Sequence, residues 1–164
     1  MLMLTLAAAL AADAPNADIV SEATVPASPD ALVAVLTDLT RFQQALAPEC
    51  VGRFVAGTPA TGKGATGRIR YDMAAMHRNL TFTITRLDVD PARSIVDFDH
   101  ASRLGFITRW TLSPGDLGTL VNVKTALNPP PWPFARYYFA AIQPEWAVCQ
   151  AGLIQRVAKL AGGS

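Results

Sequence analysis

Few side chains here are suited to chemistry near neutral pH: two histidines, His77 and His100, and two cysteines, Cys50 and Cys149. The histidines are not spaced with a partner ligand on one element, so no metal site is expected. Asp97 and Asp99 are two residues apart, which places both carboxylates on one face of a strand, as a general acid/base pair requires. Their neighbours favour a solvated face instead. No GxSxG string occurs. Cys149 falls in an apolar helical stripe without an adjacent base, the setting of a buried and inert thiol. Two cysteines are too few for a disulfide framework, and a single Cys50–Cys149 bridge is left open.

Residues 57–64, GTPATGKG, nearly match the phosphate-binding pattern GxxxxGK[ST], but Gly64 stands where a hydroxyl is needed. The motif also requires a helix directly after it, whose first amides cradle phosphate. The residues that follow alternate as a strand, so the segment is expected to be a hairpin loop. His100 shares a strand face with Val96 and Phe98 and could point into an interior. The alternative is a rim position satisfied by water, and that is the expectation. Tyr71 has a ring to fill core and a hydroxyl to orient a ligand. Arg70 alternates to the outer face.

The elements that must position these groups are legible from periodicity. Residues 18–27 read as a first strand rich in β-branched side chains. Ser28 is a helix N-cap with Pro29 at the first helical position. Thr40 and Gln43 have capping-box spacing for a second, short helix that ends at Pro48. From there the period is two. Strands are expected at 50–56, 67–75, 79–87, 94–100, 105–112 and 119–127, joined by short turns that imply an antiparallel meander. From Phe134 the period is helical again: Phe134, Tyr138, Ile142, Trp146, Cys149, Leu153, Val157 and Leu160 form one apolar stripe. Gln143, Gln150, Gln155, Arg156 and Lys159 fall mostly off it. Pro144 should kink or break that helix near residues 140–143, at a cost of roughly 3 kcal/mol. A hinge there would make residues 129–133 (PPPWP) and the first helical turns a gate. A fixed bend is the simpler reading.

The chain has 164 residues, 51% of them apolar and 16% charged, with a net charge of +1. That balance excludes a disordered chain and gives no electrostatic reason to expect nucleic acid. Residues 1–12 carry no charge and are too short to span a bilayer. They resemble a signal core, with Ala9 and Ala11 as a small-x-small cleavage site, although no cation precedes them. Export to the periplasm or beyond is set ahead of a cytoplasmic location. Residues 1–17 are taken as a signal-like or flexible segment and 18–164 as one α+β domain.

The order strand, two short helices, six strands, long helix resembles the START-like (helix-grip, SRPBCC) superfamily, in particular its polyketide cyclase/dehydrase and lipid-transport group. The resemblance is carried by VPASPDALVAVLTDLTRF at 25–42, RWTLSPGDLGTLVNVKTAL at 109–127 and the terminal helix. It implies a curved seven-stranded antiparallel sheet gripping the long helix around a cavity that binds an apolar molecule. It carries over no catalytic motif, metal or cofactor. The expected ligand-binding residues are Ile69, Tyr71, Met73, Phe82, Phe98, His100, Trp110, Val123, Tyr138, Ile142 and Trp146, around a pocket of about 300–1,000 Å³. The leading reading is a binding or transport protein for a small lipid or polyketide-like ligand, monomeric or weakly dimeric. A cyclase- or dehydratase-like enzyme using His100, Tyr71 or Arg70 is the alternative, and a scaffold with a vestigial pocket is the third.

Overall fold

The computed structural model describes residues 18–73, 76–101, 106–127 and 135–162. Strand β1 (Ile19–Val25) leads into helix α1 (Pro29–Leu36), helix α2 (Leu39–Phe42) and a 3-10 turn (Gln43–Ala45). Six strands follow: β2 (Val51–Ala56), β3 (Thr66–Met73), β4 (Met76–Asp88), β5 (Ser94–Ala101), β6 (Phe106–Gly115) and β7 (Gly118–Leu127). Helix α3 (Ala135–Leu160) closes the chain. The signal-like segment at 1–17, the proline-rich gate residues 129–133 and Phe134 lie outside the described residues.

All seven strands form one antiparallel sheet in the order β1-β7-β6-β5-β4-β3-β2. From β2 onward each strand pairs with the next, whereas β1 pairs with β7. The two short helices therefore carry the chain from one sheet edge to the other. Register shifts at Val51/Arg53 in β2 and Ile84/Arg86 in β4 mark bulges, which bend strands and increase twist. The sheet curls into a half-barrel, and its concave face receives α3.

The helix starts follow local chemistry. Ser28 Oγ accepts the amide of Ala31, and Pro29 opens α1. The cap of α2 is not Thr40, as its spacing suggests. Asp38 holds that position, accepting the amides of Thr40 and Arg41 at 3.0 and 3.2 Å. A carboxylate placed two residues earlier reaches both amides, so Thr40 is left inside the first turn. Residues 57–64 form the β2–β3 loop and lead into a strand, not a helix. That loop is pinned to the α1–α2 corner by Leu39 N to Ala60 O and Gly62 N to Thr37 O.

Inward residues of the central strands are buried completely: Phe82, Ile84, Val96, Phe106, Trp110, Leu112, Val121 and Val123 are at most 2% exposed. Each large side chain so buried contributes roughly 1.5–3 kcal/mol of transfer free energy. The outer face is not uniformly solvated. Asp97, expected on a wet face, is 6% exposed, because its cross-strand partner Arg109 lies over it. Arg109 Nε and Nη2 donate to the two carboxylate oxygens at 2.8 and 2.7 Å. The hydrogen bond to Asp97 pushes the Arg109 pKa above its ordinary value. Removing the cation would leave a buried carboxylate alone. Arg109→Ala should cost about 2–3 kcal/mol, less than for a fully buried pair because Arg109 is half exposed. A loss below about 0.5 kcal/mol in urea unfolding would mean that water replaces the guanidinium without penalty.

Of the kink or break expected near 140–143, the break does not occur: helix α3 continues through Pro144. Pro144 is exposed, so its ring lies on the solvent side of the helix, where the carbonyl one turn earlier loses its amide partner at least cost. Ile142, Trp146, Gln150, Ile154, Val157 and Ala158 are the buried positions. Cys149, Leu153 and Leu160, expected in the stripe, are only partly buried. A polar side chain, Gln150, takes the seat between Trp146 and Ile154.

Candidate functional site

Where α3 crosses the concave sheet the interior is packed with rings. His100 stacks on Phe106 with centroids 4.2 Å apart, and Trp146 meets Phe106 edge-on at 4.8 Å. Tyr71 lies 4.9 Å from Trp146, and Phe98 bridges Phe42 at 5.4 Å and Phe82 at 5.8 Å. Strands β3 to β6 supply most of these rings because their inward positions carry aromatic residues at the same level of the sheet. Gly67 makes room among them: a Cβ there would lie 2.7 Å from the Phe82 ring.

Between the rings and α3 is a cavity of about 70 Å³. Ile69, Tyr71, Met73, Phe82, Phe98, His100, Trp110, Val123 and Trp146 all line it. Ile142 is buried at 1% exposure but does not line it. Tyr138 is on α3, but its side chain lies outside the described residues. The volume is smaller than the several hundred Å³ expected. It is about half the ~150 Å³ of a cavity that admits benzene, and suits a few waters. Inward alternation identifies which rings face the interior, but not how closely they interlock.

His100 is not at the rim. It is 5% exposed, and its Nδ1 has no hydrogen-bond partner among the described residues. Burial without a counter-charge lowers its pKa to about 3, so the imidazole is neutral at physiological pH. Burial also pushes the Tyr71 phenol above its usual value. Arg70 is exposed on the outer face, 3.9 Å from Asp72, which also pairs with His77. Among the described residues no cluster of His, Cys, Asp and Glu is arranged to hold a metal.

Four features of this site go beyond the expected lining residues, and the first decides a pairing that the sequence leaves open. Cys50 and Cys149 are joined by a disulfide, so Cys149 is not an inert thiol. The bridge ties the segment before β2 to α3, and both sulfur-bearing residues line the cavity. Gln150 is 4% exposed: it accepts from Thr125 Oγ1 at 2.8 Å and donates to Val123 O and Ser21 Oγ. It fastens α3 to β1 and β7. Its spacing, four residues from both Trp146 and Ile154, was the available signal. Thr108, hydrogen-bonded to Thr125, adds a hydroxyl to the wall. Arg156 lines the cavity beside Leu46 and Leu153, and its Nε donates to Ala45 O at 2.6 Å.

Comparison with known proteins agrees with this geometry. The NMR structure of KanY superposes with a TM-score of 0.70 at 21% identity, covering 91% of this chain and 99% of that one. Truncated norcoclaurine synthase from Thalictrum flavum gives 0.63 at 14% identity, covering 87% and 91%. Protein CV1439 from Chromobacterium violaceum gives 0.61 at 17%, covering 92% and 100%. These likenesses establish the fold. No curated protein matches the chain in sequence. Residues 16–154 match the family model described as polyketide cyclase/dehydrase and lipid transport, and the chain belongs to that family.

Proposed function

We propose that this protein binds a small hydrophobic molecule between the concave sheet and α3, with the aromatic cluster as the inner wall. The observation that carries the reading is the cavity itself. It is walled by apolar and aromatic side chains, and it reaches partly exposed residues, Leu46, Val51 and Leu153, on the side of the 3-10 turn and α3. At about 70 Å³ the site is closed down, so a ligand larger than a few heavy atoms enters by displacing side chains at that end. The family's breadth, spanning transport and cyclisation, is compatible with a pocket used for binding or for turnover.

The enzyme reading is weaker on chemical grounds. An imidazole with a pKa of about 3 holds no proton to donate near pH 7, and is too feeble a base to remove one efficiently. Tyr71 is held in its protonated form. Both groups suit hydrogen bonding to a bound molecule better than proton transfer. The Cys50–Cys149 bridge fits an oxidising compartment and so supports export.

Native mass spectrometry followed by solvent extraction tests this reading. Protein purified from its host should carry an extractable apolar molecule, or form one-to-one adducts with members of a graded series of naphthalene and alkyl probes. A chain that arrives empty and binds none of the series at millimolar concentration would overturn it.

A further inference from the structure

Among the described residues that line the cavity, one carries a positive charge. Arg156 follows Leu153 on α3 and is partly buried against the 3-10 turn, where Nε donates to Ala45 O. Its guanidinium folds back along the helix over Gly152, at which a Cβ would lie 3.0 Å from Nη1 and 3.5 Å from Nη2. A glycine one turn earlier therefore leaves the space in which the head group rests. Of the five N–H donors of a guanidinium, one is used here. Among the described residues no carboxylate lies within ion-pair distance of the others, and Arg156 lines the same cavity as Leu46, Ala47 and Leu153.

This differs from the arginines of the outer face. Arg53 and Arg68 are exposed, where solvent meets a guanidinium's donors at little cost, and Arg70 also faces Asp72. A partly desolvated guanidinium beside an apolar cavity keeps its charge and gives up part of its hydration, which favours an incoming anion. Two Nη groups on one edge match a carboxylate in bidentate geometry.

Resting on the binding reading above, we infer that the ligand is an apolar acid: its hydrophobic body occupies the aromatic cavity and its carboxylate is held by Arg156 at the end near Ala45. Arg156 is then the residue that sets ligand class, separating acids from neutral molecules of the same shape.

The test uses the full chain and two isosteric probes, 2-naphthoate and 2-naphthamide, titrated by calorimetry at pH 7. The wild type should bind the acid roughly tenfold or more tightly than the amide, the effect of one charge-assisted contact. Arg156→Gln should abolish that preference while changing amide affinity by less than about twofold, and Arg156→Lys should retain part of it. Loss of both affinities together would show that Arg156 only supports the 3-10 turn, and would overturn the inference. Equal binding of both probes by the wild type would overturn it too, leaving the binding reading intact. Binding of neither probe would remove the binding reading itself. Should Arg156→Gln fail to fold, the wild-type ratio and the Arg156→Lys ratio still decide the matter.

Discussion

Replacing both Cys50 and Cys149 by alanine should lower stability by about 4–5 kcal/mol. The bridge closes a loop with a sequence separation of 99, and the chain-entropy account assigns a cross-link of that span a value near the top of the usual range. For a domain of this size the loss corresponds to a fall in Tm of roughly 10–15 °C. Reducing agent should shift the wild type in the same direction, and should have no effect on the double variant. The consequences reach the site. The bridge fixes the segment before β2 against α3 on one side of the cavity, so its loss should weaken binding of any apolar probe as well. Thermal melts with and without reductant, beside a thiol titration of the non-reduced protein, check the expectation. Two free thiols per chain, or melting curves that coincide within about 2 °C, would show that the cross-link does not form.

Lowering the pH from 6.5 to 3 should remove about 4–5 kcal/mol of stability through His100 alone. An unfolded histidine titrates near 6.5, whereas the buried one holds out to about 3. Between those values the unfolded state binds a proton that the folded state refuses. Stability is therefore complete above about pH 6.5 and falls by roughly 1.4 kcal/mol per unit as the solution is acidified. His100→Phe isolates this contribution from that of the carboxylates. Phenylalanine matches the surroundings, which are Phe106, Phe82 and Tyr71, and it removes an Nδ1 without a partner among the described residues. At pH 7 the variant should equal or exceed the wild type. At pH 5 it should be ahead by about 2 kcal/mol more than at pH 7. Parallel stability curves for the two proteins in urea would mean that His100 charges in place.

Much of this architecture was legible from side-chain periodicity, and the exceptions have physical causes. Alternation in β3 to β7 placed the inward residues because a strand buried on one face leaves no other register free. Ser28-Pro29 marked α1 because cap chemistry is local. What failed was whatever depended on distance in space. Cys50 and Cys149 meet because the two short helices and the curl of the sheet bring the start of β2 back to α3. No spacing encodes that. His100 pointed inward by parity, but whether it sat at a rim depended on Phe106 covering it from the next strand. Gln150 is among the residues expected mostly off the stripe, although it lies four residues from both Trp146 and Ile154, the spacing of a core position. Its partners Thr125, Val123 and Ser21 lie on other elements. Asp97 was misplaced for the same reason, since its burial is supplied by Arg109 on β6. The size of the cavity depends on how closely rings from four strands interlock, and no local pattern carries that.

The cavity is the centre of this account, and the most direct measurement is a two-dimensional NMR titration of the full chain with 2-naphthamide. The neutral probe does not depend on Arg156. The largest shifts should fall on the indole groups of Trp110 and Trp146 and on Tyr71, Phe98 and Leu153, which line the cavity, with outward residues such as Thr81 and Arg53 unmoved. Shifts confined to the outer face, or none at millimolar probe, would contradict an internal binding site.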